Sequence, residues 1–243
     1  MTQESNHERG HAFTPWIAPA IWQLRPDFVA LSIVAECCSN SAGTVWAAER
    51  LVEATRASAL GPDWAVAHLS AWQDTFRAFG AKPQRTPCSA EALRKRGSVP
   101  SVNAVVDLYN AVSIAFTLPV GGEDIDRYVG APSLTIAQGD ETFETMKNGQ
   151  PAVENPERGE VVWRDEQGVT CRRWNWRQGQ RTRIETGTRN MWFVLERLEP
   201  MPLDALKCAG DTLCADLARH SPASGSASSC SSATAGIQLE EFR

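Results

Sequence analysis

Histidine is the scarcest chemically useful residue in this 243-residue chain, with only His7, His11, His68 and His220. Two of these fall in a polar N-terminal stretch, which leaves little material for a Ser-His or Cys-His dyad. The seven cysteines are an odd number and include no C-x-x-C pair, so neither a closed disulfide framework nor a zinc ribbon is indicated. No metal site and no cofactor is expected. Cys37 and Cys38 sit side by side in an apolar run and read as small buried hydrophobes. Positive charge is also in deficit: 24 Lys and Arg against 29 Asp and Glu give −5. That balance excludes whole-surface attraction to nucleic acid and argues against stable DNA binding. Runs of apolar residues long enough to span a bilayer are absent, and the opening MTQESNHERG lacks the apolar segment of a secretory signal. The expectation is a cytoplasmic protein with no membrane partner.

Against these absences, hydrophobic residues make up 42% of the chain, and nine tryptophans stand beside only two tyrosines. Tryptophan buries a large apolar area while keeping one N–H donor, so several should line a core or a ligand pocket. Charge is unevenly spread. Residues 171–189 carry six arginines (172, 173, 177, 181, 183 and 189) against Glu185, a local +5 that leaves −10 for the remainder. Such asymmetry marks either a site facing an anion or an exposed arginine-rich hairpin.

Residues 1–13 and the Ser/Ala/Gly stretch 221–236 within the tail 221–243 cannot bury enough surface to offset their ordering entropy, so a single folded domain over 14–220 is expected. FVALSIVAECC (28–38) has the length and apolarity of a buried strand. Residues 43–60 and 63–79 read as helices; in the second, Ala65, Leu69, Trp72, Phe76 and Phe79 fall on one face and Gly80 stops it. A short helix near 89–96 and a periodic one over 101–116 follow, then β-type pieces at 132–137, 160–164, 168–173 and 190–197 and a last helix over 203–219. Helices first and mostly antiparallel strands afterwards predict an α+β fold, N-terminal helices packed on a mostly antiparallel mixed sheet.

The segment VNAVVDLYNAV (102–112), the turn-like PVGGEDID (119–126) and NWRQGQRTRIETGTRNMWF (175–193) occur in the order and at the spacing of motifs in the B3/B4 domain. Over most of residues 63–200 the chain resembles that domain of the phenylalanyl-tRNA synthetase β subunit, which edits mischarged tRNA, and free-standing members of the same family look closer still. Gly121 stands where the family's turn has a histidine. The resemblance implies hydrolysis of the ester between a wrong amino acid and the terminal ribose of tRNA. Because that ester is already reactive, such a site has mainly to orient water, hold the α-ammonium and stabilise an oxyanion, and it works without a nucleophile triad.

In residues 121–126, three carboxylates (Glu123, Asp124, Asp126) flank Gly121 and Gly122, whose bare backbone admits a ligand closely. Glu123 is the first choice for acid–base chemistry, with Asp124 and Asp126 as neighbours able to raise its pKa if it is buried. The alternative reading is a tight turn whose acids cap the next element. The stripe Asn103, Asp107, Asn110 and Ser113 is also what a solvated helix face would show; Asn103, Asp107 and Asn110 of it are assigned to holding that turn. Arg172, Arg173, Trp174, Asn175, Trp176, Arg177 and Gln178 interleave guanidinium groups with indoles, a composition suited to stacking on bases and pairing with phosphate or carboxylate. Read as a strand, Arg172, Trp174 and Trp176 share one face, and Arg173 and Asn175 the other, taken as ligand-facing and catalytic beside Glu123 and Asp124. Arg181 and Thr182 extend the candidate binding set. Three functions compete: a trans-acting aminoacyl-tRNA deacylase taking the acceptor end; an enzyme that condenses a free aromatic amino acid or amine with a carbonyl compound; and a non-catalytic binding module for amino acids or tRNA ends.

Overall fold

A computed structural model describes residues 13–57 and 61–221, and the backbone of 230–235. The chain opens with strand β1 (Trp16–Ile17) and helix α1 (Pro19–Leu24), then β2 (Val29–Ala35), α2 (Val45–Ala57), α3 (Ala65–Ala78), α4 (Ser89–Lys95) and α5 (Ala104–Phe116). Eight strands follow: β3 (Val120–Asp124), β4 (Ser133–Ile136), β5 (Phe143–Lys147), β6 (Gln150–Glu154), β7 (Val161–Arg164), β8 (Val169–Arg172), β9 (Arg177–Gln178) and β10 (Met191–Arg197). Helix α6 (Leu203–His220) and strand β11 (Cys230–Ala235) complete it. The class is α+β, as the order of periodic segments predicts.

Two sheets carry the fold, ordered β11-β2-β10-β3 and β1-β4-β7-β8-β9, and β5-β6 form a separate hairpin. All pairs are antiparallel except β1 with β4. The alternation of side chains across a strand gives the first sheet two distinct faces. Leu31, Ile33, Val120, Met191, Phe193 and Leu195 face α5 and α6 and pack with Val112, Leu206 and Leu213. Ala30, Trp192 and Val194 belong to the opposite face, packed with Trp163 of the second sheet, with Trp174 from the loop between β8 and β9, and with Trp72 and Phe76 of α3. Trp163, Trp174 and Trp192 therefore collect between the two sheets, with Trp72 against them.

Three expectations change. PVGGEDID is not a turn at its centre: Val120–Asp124 is a strand paired along β10, with Glu123 opposite Trp192 and Gly121 opposite Val194. A Cβ on Gly122 would lie 2.9 Å from the Tyr109 ring, so this glycine permits close packing against α5 and does not reverse the chain. Cys37 is exposed, with φ 56°, and only Cys38 is buried, because β2 ends at Ala35 and the chain turns outward. Within 221–236, expected to stay unstructured, Cys230–Ala235 pairs along β2; backbone groups at a sheet edge need no apolar side chains to be paired. Residues 1–12 and 58–60 lie outside the described residues.

Candidate active site

Between the sheets lies a cavity of about 230 Å³, at the small end of ligand sites, bordered by β3, β10, α4, α5 and the 174–178 segment. Its lining includes Gly121, Glu123, Trp163, Trp174, Trp192 and Glu196. Two buried carboxylates meet it. Alternation places Trp192, Val194 and Glu196 on one face of β10, and the register sets Gly121 and Glu123 beside them on β3.

Glu123 is 4% exposed, and burial pushes its pKa up to about 7; hydrogen bonds from Tyr128 and Thr170 and the charge of Arg181 offset only part of that rise. The Tyr128 hydroxyl donates to Glu123 Oε2 and lies 3.3 Å from Thr170 Oγ1. Thr182 Oγ1, also close to this carboxyl, makes no hydrogen bond of ordinary geometry. Burial, and not Asp124 or Asp126, is therefore what raises Glu123. Glu196 is 1% exposed, and burial likewise lifts it to about 7. Trp163 Nε1 donates to its Oε1 at 2.9 Å and Asn175 Nδ2 to its Oε2 at 2.8 Å. The Trp174 indole N–H lies close enough to favour the charged form, yet it has no partner at full hydrogen-bond geometry.

Residues 173–176 bring this second group together. Strand β8 stops at Arg172, and Arg173 and Trp174 adopt left-handed conformations (φ 48° and 66°) before β9 begins. Two consecutive non-glycine residues there cost on the order of 1–2 kcal/mol each. The loop turns Trp174 into full burial against Phe28 and Trp72, and aims Asn175 at Glu196. The strand-like alternation expected for 172–176 is thus broken, and Trp174, Asn175 and Trp176 all border the cavity. Cys171 also borders it, but burial holds its thiol well above the usual range, so it offers no thiolate.

The B3/4 domain family model matches residues 71–205, more than half of the 243-residue chain. The chain belongs to the B3/4 domain family. Among solved structures, this B3/4 domain is similar to the N-terminal fragment of the phenylalanyl-tRNA synthetase beta-subunit from Pyrococcus horikoshii, with TM-score 0.46 and 10% identity. That match covers 86% of this chain and 49% of the other, so the chain spans about half the length of the fragment. No curated protein matches the sequence.

Of the residues singled out from the sequence, this B3/4 domain brings Gly121, Glu123, Asn110, Trp174, Asn175, Trp176 and Gln178 to the cavity. The others lie elsewhere. Asp124 accepts from Asp126 N and from Thr188 Oγ1, capping the 3-10 turn Ile125–Arg127, and Asp126 accepts from Asn190. Asn103 caps α5 at Val106 N and donates to Ile184 O, while Asp107 accepts from Ser101 Oγ and Val102 N, so both fix the start of α5. Buried rather than solvated, they leave only Asn110 of that stripe on the cavity.

The arginines are occupied. Arg172 pairs with Glu160 and Glu154, Arg173 with Glu157 and Glu160 while stacking 4.6 Å over Trp176, and Arg181 with Asp165. Arg177 lies 3.8 Å from Glu154 and donates to Thr145. Thr182 accepts from Asp124 N through its carbonyl. Gly122 accepts from Gln178 Nε2 at 2.7 Å, which ties the 174–178 segment to β3. Glu196, Tyr128 and Trp163 were not anticipated. The alternation in MWFVLER, which puts Glu196 on the face of Trp192, is the signal that could have found Glu196.

Proposed function

We propose that this B3/4 domain hydrolyses aminoacyl esters of the kind carried by mischarged tRNA, with Glu123 as general base. One observation carries the reading. Glu123 is a buried carboxylate on a tryptophan-lined cavity, brought to about 7 and bonded to a tyrosine hydroxyl, so at neutral pH it both accepts and returns a proton. Water adds to the ester carbonyl as its proton passes to Glu123. Collapse then breaks the carbon–oxygen bond to the ribose, whose oxygen takes up a proton. Gly121, whose added Cβ would meet only Val194, at 3.2 Å, leaves the middle of the cavity open for the amino-acid part.

The test is deacylation of a panel of mischarged tRNAs. Release of the amino acid by the wild-type protein, reduced by Glu123→Gln, supports the proposal; no release from any member at high enzyme contradicts it. A second reading, condensation of a free aromatic amino acid or amine with a carbonyl compound, draws support from the arginines. Those at 172, 173, 177 and 181 are paired with acids of the chain itself, and Arg96 is the one cation that borders the cavity among the described residues. Saturable binding of a free amino acid, unaffected by tRNA, would favour it.

A further inference from the structure

Glu196 is a buried acid whose hydrogen-bond donors are all neutral: the Trp163 indole, the Asn175 amide and, more loosely, the Trp174 indole. No cation among the described residues is paired with it. Burying a lone carboxylate is costly, and proteins ordinarily match it with a cation or neutralise it. A second group beside it is also unmatched. Asn175, which borders the same cavity, is 8% exposed, and while its Nδ2 serves Glu196, its Oδ1 is buried with no partner. An acceptor and an acid are thus presented together, walled by the rings of Trp163, Trp174 and Trp192. Indole faces attract cations.

The position within the cavity is set by the sheet. Glu196 N bonds Pro119 O, while Glu123 lies opposite Trp192. Four residues of β10 at about 3.4 Å each separate the two levels, roughly 13 Å between backbones, with Gly121 between them. The two acids therefore occupy opposite ends of one cavity.

We propose that Glu196 and Asn175 form the ammonium-binding end of the cavity, accepting hydrogen bonds from the protonated amino group of the substrate. This rests on the reading of the cavity as an aminoacyl site, and it separates the group that holds the substrate from Glu123, which moves the proton. The ligand class is a primary ammonium attached to a compact, apolar or aromatic body.

The experiment is calorimetric titration of the whole chain with L-phenylalaninamide and with 3-phenylpropanamide, the same body with hydrogen in place of the ammonium group. Wild type is expected to bind the first at least about tenfold more tightly, the cost of leaving a buried charge unpaired. Glu196→Gln should abolish that preference. Gly121→Val, which fills the middle of the cavity, should weaken both ligands and so place the binding there. Because wild type alone supplies the main comparison, misfolding of a variant leaves the test intact. Equal affinity for the two compounds, no binding of phenylalaninamide at millimolar concentration, or a preference that persists in Glu196→Gln would overturn the proposal. Deacylation without ammonium preference would sink this inference alone; ammonium preference without deacylation would sink the hydrolytic reading alone.

Discussion

The two ends of the cavity reach the same pKa by the same cause but are surrounded by different partners. Glu123 and Glu196 are each brought to about 7 by burial. At the Glu123 end the partners are hydroxyls, Tyr128 and behind it Thr170, which both donate and accept hydrogen bonds, and the charge of Arg181 is felt. At the Glu196 end they are indole and amide N–H groups, which hold a carboxylate in place but do not exchange protons near neutral pH. A raised pKa alone thus does not distinguish a base from a binding group; the neighbours do.

The comparison is broken most directly by Glu123→Gln. It is expected to lower kcat for deacylation by about 10²–10⁴ with KM little changed, measured on any mischarged tRNA that wild type hydrolyses. Equal losses in kcat from Glu123→Gln and Glu196→Gln would erase the distinction between the ends.

Next in size is the effect of pH on stability. Each acid has a folded pKa near 7 against 4.5 for the free group, so the folded state binds the proton more tightly than the unfolded state between those values. Stability therefore falls as pH rises from about 4.5 to about 7, by on the order of 3 kcal/mol per acid. Glu196→Gln is accordingly expected to raise Tm at pH 8 by a few degrees, an advantage that fades towards pH 4.5. A lower Tm at pH 8 would mean that Glu196 is already compensated.

The glycines between the ends give a smaller contrast. Gly122→Ala should cost about 1–3 kcal/mol in urea unfolding, since its Cβ meets Tyr109 at 2.9 Å. Gly121→Ala, facing the cavity, should cost less stability and more substrate affinity. Smallest is Tyr128→Phe, which removes a hydroxyl that donates to Glu123 and should move the midpoint of the pH–rate curve upward with the fold unchanged. A midpoint that stays put would remove Tyr128 from the proton path.

Much of the fold was legible because α3, α5, β2 and β10 each carry a continuous apolar pattern. Strand β3 was not, since paired glycines followed by acids have the composition of a turn; it is a strand because it pairs along β10, where Tyr109 leaves room at 122 only for a residue without Cβ. The candidate site was half legible. Glu123 and Asn175 were found, but Glu196 sits in an apolar strand where one acid looks like a solvent-facing position. The arginine cluster misled for a different reason. Its excess charge is local in sequence, whereas Glu154, Glu157, Glu160 and Asp165, which neutralise it, come from earlier strands and turns and meet it only in space.

The most direct measurement is the pH–rate profile for hydrolysis of one mischarged tRNA by wild type, Glu123→Gln and Glu196→Gln. Wild-type kcat should rise with pH to a plateau with a midpoint near 7. Glu123→Gln should lose that rise, and Glu196→Gln should keep it while KM increases. A profile unchanged in Glu123→Gln, or one in which Glu196→Gln alone removes the rise, would contradict the assignment of the two ends.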